Sequence, residues 1–116
     1  MTKSEIVQYY YLKREAENAA SLEKEMNEKR QGAKGEDLVF LERQIQRVRR
    51  KKERSLRLHE EIEDYVENIS DCLTRQIVYE RYIRGKTWTA VAMAVGGGNT
   101  PDSVRKISER FLEKCS

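Results

Sequence analysis

The sequence predicts an all-α protein: a long antiparallel helical hairpin, coiled-coil-like, over residues 1–69, then three shorter helices over residues 70–116. Three observations carry this reading. Breakers are few: one proline, Pro101, and six glycines confined to Gly32 and Gly35, to Gly85, and to Gly96–Gly98. A sandwich or barrel needs turn residues every ~8–12 positions, and long stretches here have none. Charged residues make up 37% of the chain and hydrophobic residues 38%, which suits a few exposed helices and not a large core. Between the glycines, apolar residues recur at steps of three and four.

The first helix is expected from about Thr2 to Arg30. Its stripe is Ile6, Tyr9, Leu12, Ala16, Ala19 and Met26, with Glu23 as the interruption. Thr2 or Ser4 caps its start, and Glu5 stands where a capping box places it. Tyr9-Tyr10-Tyr11 widens the apolar face and reads as packing surface. Gln31-Gly32-Ala33-Lys34-Gly35 then forms a tight connection.

The second helix is expected from about Glu36 to Ile69. Its seam is Leu38, Leu41, Ile45, Val48, Lys52, Ser55, His59, Ile62, Val66 and Ile69, a heptad pattern without a stutter. The middle of that seam is polar, so Leu56 and Leu58 beside it are expected to carry the packing there. A seam this polar does not favour an isolated pair of helices, so a homodimer is expected. Tyr9, Leu12, Leu38, Leu41, Ile45, Val48, Leu56 and Ile62 are its candidate oligomerisation residues. The run Arg47–Arg54 holds six basic residues in eight. With the hairpin folded about Ala33, residue i faces residue 66 − i. That sets Glu17 near Arg49, Glu15 near Lys51 and Glu23 near Arg43, so interhelical pairing and a solvated face explain most of the run. Contact with a DNA backbone is the alternative.

The last third carries dense start and stop signals. Ser70 or Asp71 caps a helix with the apolar face Leu73, Ile77, Val78, Tyr82 and Ile83, which Gly85 ends. Thr87 caps a helix of about eight residues whose apolar face is Trp88, Val91, Ala92 and Val95. After Gly96-Gly97-Gly98-Asn99, Thr100 caps the last helix, with Pro101 at its first position and Asp102 in its first turn. Val104, Ile107, Phe111, Leu112 and Cys115 are expected inside, and Arg105, Lys106, Arg110 and Lys114 outside. Residues 70–116 hold eight basic and five acidic side chains, and the formal net charge of +3 resides there.

A short helix, a glycine turn and a helix with exposed basic residues make a helix-turn-helix, a shape suited to the major groove of DNA. On that geometry Thr100, Asp102, Ser103 and Lys106 face bases. Lys86, Thr87, Arg105, Arg110 and Lys114 meet phosphates.

Arg81-Tyr82-Ile83-Arg84-Gly85-Lys86-Thr87-Trp88-Thr89-Ala90-Val91-Ala92, with Asp71 and Arg75 before it and Thr100-Pro101-Asp102-Ser103-Val104-Arg105-Lys106-Ile107 after it, resembles region 4 of bacterial sigma factors. It is most similar to small phage and prophage proteins of the ArpU/RinA type, late transcriptional regulators of phages of low-GC Gram-positive bacteria. The resemblance covers residues 71–113. It implies that the helix opened by Thr100 reads DNA, that Trp88 is core, and that the chain works in the cytoplasm of a bacterial host, with RNA polymerase as a further partner. The family has one apolar residue between Gly96 and Thr100 where this chain has Gly97, Gly98 and Asn99, a longer turn expected to alter the angle between the two helices.

Other functions find less support. No catalytic set, P-loop or metal cluster is visible, so the chain is expected not to be an enzyme and to need no cofactor or small-molecule substrate. No apolar run approaches the ~18 residues of a membrane span, and MTKSEIVQYYY lacks a signal-peptide pattern. Cys72 and Cys115 read as buried, reduced thiols. Two alternatives stand: a phage small terminase subunit that recognises DNA for packaging, and an adaptor that contacts RNA polymerase or another phage protein without binding DNA.

Overall fold

A computed structural model of the chain describes residues 1–115. Among them it contains six α-helices and no strand: α1 (Lys3–Ile6), α2 (Tyr9–Arg30), α3 (Glu36–Glu67), α4 (Cys72–Val78), α5 (Trp88–Val95) and α6 (Pro101–Lys114). A π turn, Tyr79–Ile83, extends α4. None of these helices is long and apolar enough to cross a membrane. The chain divides into two compact units, Tyr11–His59, and residues 1–10 together with the chain from Glu60 onward.

The expected helix over Thr2–Arg30 is broken at Val7-Gln8. There the Gln8 N–H bonds to the Glu5 carbonyl, three residues back, in place of the four-residue bond of an α-helix. Thr2 caps α1 as its sequence indicates: Thr2 Oγ1 accepts from the Glu5 N–H at 3.3 Å. Tyr9 opens α2 buried, and its hydroxyl donates to Glu63 Oε1 at 2.6 Å. Burial first, and then this hydrogen bond to a carboxylate, push the Tyr9 hydroxyl well above the ordinary phenol range.

In the unit Tyr11–His59, Leu12, Ala16 and Ala19 of α2 and Ile45, Val48 and Ser55 of α3 are buried. These are seam positions, and of the two residues expected to help at its polar middle Leu58 is half-buried and Leu56 is not. Leu56 is 45% exposed and Ser55 only 3%. A residue one step from the seam is turned about 100° away from it, so Ser55 takes the buried place and Leu56 does not. Tyr10 and Tyr11 are also exposed, at 62% and 70%.

Interhelical ion pairs hold α2 beside α3 within this unit. Lys51 Nζ lies 3.7 Å from a Glu15 oxygen, the expected pair. Glu23 binds both Arg49 Nε and Lys52 Nζ at 2.8 Å, and not Arg43. Glu17 turns instead to Arg14 on its own helix. The turn between the helices closes through the bonds Gly32 N–H to Lys29 O and Ala33 N–H to Arg30 O, and Gly35 sits at φ +60°.

In the other unit Ile77, Val91, Ala92 and Val104 form a core, with Leu73, Trp88, Val95 and Ile107 packed against it. Both cysteines are free, but only Cys115 is partly buried. Cys72 is exposed, because it follows the Asp71 cap at the first, solvent-facing position of α4.

Candidate nucleic-acid interface

The candidate interface is built from α4, α5 and α6, which pack on one another. Each begins at a side-chain cap that its sequence specifies. Asp71 Oδ2 accepts from the Thr74 N–H at 2.9 Å and from the Thr74 hydroxyl at 2.7 Å. The hydroxyl and then the N–H hold the Asp71 carboxyl below its usual range. Thr87 Oγ1 accepts from the Ala90 N–H at 3.2 Å. At α6 the cap is reciprocal: Thr100 Oγ1 accepts from the Ser103 N–H at 3.1 Å, and Ser103 Oγ accepts from the Thr100 N–H at 2.9 Å. Pro101 holds the first position.

The stop of the first helix is wider than a simple glycine cap. In the π turn the Arg84 N–H reaches back five residues to the Tyr79 carbonyl. Gly85 follows at φ +67°, and the Lys86 N–H then closes on the Glu80 carbonyl at 3.1 Å. Lys86 Nζ also sits 2.6 Å from Glu80 Oε2. Arg81 donates to the Lys86 carbonyl at 2.9 Å and lays its guanidinium 4.3 Å from the centroid of the Trp88 ring. Trp88 is therefore half-buried beneath a cation, and only one side of it belongs to the core.

The Gly96–Asn99 turn is pinned. Asn99 donates through both its backbone N–H and its Nδ2 to the Gly96 carbonyl, at 3.2 and 2.8 Å. Its Oδ1 accepts from Ser103 Oγ at 3.3 Å. All three glycines have positive φ, and Gly96 adopts φ 63°, ψ −147°, a region almost closed to other residues.

The expected contact residues fall into distinct states. Thr100 and Ser103 are engaged in the cap. Asp102 binds Arg105 at 2.6 Å and Lys106 at 3.0 Å, and these two cations, Arg105 first, lower its carboxyl. Arg105 also approaches Glu109 at 3.5 Å. Arg105, Lys106, Arg110 and Lys114 are all exposed, while Val104, Ser108 and Leu112 on the same helix are buried. Arg110 and Lys114 border a cleft of about 510 Å³ floored by Tyr65, Ile69, Ile107 and Phe111. Thr87 is exposed, and Lys86 is half-buried against Glu80.

Comparison with protein families, with curated proteins and with solved structures finds no match. The chemistry of the surface therefore rests on its own residues. A helix with four exposed cations, two of them partly neutralised by Asp102 and Glu109, and a capped N-terminus presents donors suited to phosphate and base edges. Of the candidate oligomerisation residues, Tyr9, Leu12, Ile45, Val48 and Ile62 are buried within the single chain, Leu38 and Leu41 are half-buried, and Leu56 is exposed. Glu80, Arg81 and Asn99 also shape the interface, although sequence reasoning gives them no role there. Only Asn99 carries a local signal, as an Asn following glycines ahead of a cap.

Proposed function

We propose that the chain is a sequence-specific double-stranded DNA-binding transcriptional regulator, phage-encoded, with residues 70–116 as a sigma region 4-like helix-turn-helix and residues 1–69 as a helical hairpin for oligomerisation. The observation that carries this reading is the two-sidedness of α6. Its apolar side is buried among α4 and α5, and its other side exposes Arg105, Lys106, Arg110 and Lys114. The resemblance of residues 71–113 to ArpU/RinA-type regulators supports the same reading. In it α6 enters the major groove, Lys106 and Asp102 face bases, and Arg105, Arg110, Lys114 and Thr87 contact phosphates. Thr100 and Ser103 act first as the cap that aims the helix. The protein works by binding and not by catalysis, in the cytoplasm of a bacterial host. A homodimer, joined through exposed side chains of the hairpin such as Tyr11 and Leu56, carries two such helices and selects a repeated half-site.

The test is a titration of the double variant Arg105→Ala/Lys106→Ala against DNA selected from a random pool by the unaltered protein. Affinity should fall. The slope of log K against log salt should flatten by about 0.9, the share of the one phosphate that Arg105 contacts, while loss of Lys106 removes a base contact. Unchanged affinity and slope, with capture of RNA polymerase abolished, would identify an adaptor. A solution mass of two subunits fits a regulator, and eight or more would fit a packaging subunit.

A further inference from the structure

The basic run of α3 separates into two sets once the helix forms. Arg49, Lys51 and Lys52 turn toward α2 and meet Glu23 and Glu15. The other set is all arginine. Arg43, Arg47, Arg50, Arg54 and Arg57 succeed one another at steps of four, three, four and three, so they fall on one line of the helix surface. All five are exposed, and among the described residues none of them has a carboxylate within ion-pair distance. Their side chains frame shallow clefts along the helix. The stripe runs about 21 Å at 1.5 Å per residue.

Like charges at these spacings destabilise a helix, and the two acids that share the clefts with them, Glu42 and Glu53, are fewer than the five arginines and within ion-pair distance of none. The ligand that would compensate carries regularly repeated negative charge. A guanidinium donates two parallel hydrogen bonds that match a phosphate, better than a lysine does. One strand of a duplex advances about 3.4 Å per phosphate, so the stripe spans about six of them. A lipid surface fits less well. It would need a continuous apolar face beside the cations, and the exposed apolar residues of α3 do not form one: Val39 and Phe40 stand at the start of the helix, Leu56 stands sixteen residues after Phe40, and Ile45 and Val48 between them are buried.

We propose that the arginine stripe of α3 is a second nucleic-acid-binding surface, which holds the phosphates of one duplex strand and reads no bases. It lies in a different unit from α6 and does not depend on α6 as a reading helix.

The probe is a random-sequence 30-base-pair duplex, titrated with the full chain over a series of salt concentrations. Arg47→Gln/Arg50→Gln/Arg54→Gln should weaken binding on the order of 100-fold at 0.1 M salt and flatten the salt slope by about 2.7. Glutamine is a good helix former, so far-UV circular dichroism should not change. Arg47→Lys/Arg50→Lys/Arg54→Lys should keep the slope. If the glutamine variant binds like the unaltered chain, or if the unaltered chain does not bind this duplex, the proposal is overturned. It is equally overturned if the glutamine variant keeps its DNA affinity and loses subunits instead. Arg105→Gln/Lys106→Gln separates the two readings. If that pair changes nothing on the random duplex while the stripe variant does, the stripe stands, and if it also changes nothing on the selected DNA, the reading role of α6 fails.

Discussion

Thr100 and Ser103 serve their own helix before any ligand. The reciprocal cap joins both side chains to backbone N–H groups that α6 would otherwise leave open. Thr100→Ala should lower unfolding stability by about 1 kcal/mol, read from a urea midpoint, and Thr100→Ser should restore it. Asp102 restrains Arg105 and Lys106 in the same first turn. Asp102→Asn should therefore raise affinity for random-sequence DNA and steepen its salt dependence, which the same titration measures. Ser108 makes the opposite kind of prediction. It is 0% exposed, and among the described residues its hydroxyl has no hydrogen-bond partner. Removing a buried, unbonded hydroxyl relieves its desolvation cost, so Ser108→Ala should raise the thermal midpoint by a few degrees, followed by circular dichroism. The caps are legible in the sequence because a cap is local: Asp71, Thr87 and Thr100 each act within three residues. Ser108 is not, since a serine among Arg105, Lys106, Glu109 and Arg110 reads as one more polar residue until Val104 and Leu112 fix which side of the helix is inside.

At the scale of elements, two apparent flaws in the seam are one feature. Glu23 interrupts the stripe of α2 and Lys52 interrupts that of α3, and the two are bound to each other at 2.8 Å. Arg49 adds a second cation. Lys52 first, and then Arg49, hold the Glu23 carboxyl below its ordinary value. The contribution of such a group is complete above its unfolded pKa of ~4.3 and is lost as pH falls through the lowered folded value. Glu23→Gln should thus cost up to about 1 kcal/mol at pH 7 and nothing once the pH is well below 4, measured as thermal midpoints of the two proteins across that range. Heptad spacing makes both helices and their seam readable. It does not reveal the partner of Glu23, because the register of two helices depends on long side chains reaching along the axis. The π turn at Tyr79–Ile83 is hidden for a similar reason. Its extra residue is stabilised by Glu80, Arg81 and Lys86 together, and no spacing rule records that.

For the whole molecule, the distribution of charge says more than its sum. The formal net charge is +3, yet Asp102 and Glu80 tie up part of the cationic surplus of residues 70–116, while five arginines of α3 stand exposed with no carboxylate of the described residues within ion-pair distance. Read as a sequence, the surplus lies in the last third and the densest run is neutralised. The structure neutralises only the half of that run that faces α2, because a helix sorts consecutive residues onto different sides. Local pattern thus makes the helices and the surface of α6 legible, and leaves the direction of each cation on α3 to be settled by packing. One further consequence comes from the stacked pair Arg81 and Trp88. Trp88 is the only tryptophan of the chain and belongs to one of its two compact units. Its emission is thus a built-in optical reporter of that unit alone, whereas far-UV ellipticity sums the helices of both. Overlaid denaturation curves from the two signals would mark a single cooperative transition, and separated curves would give each unit its own stability without any label.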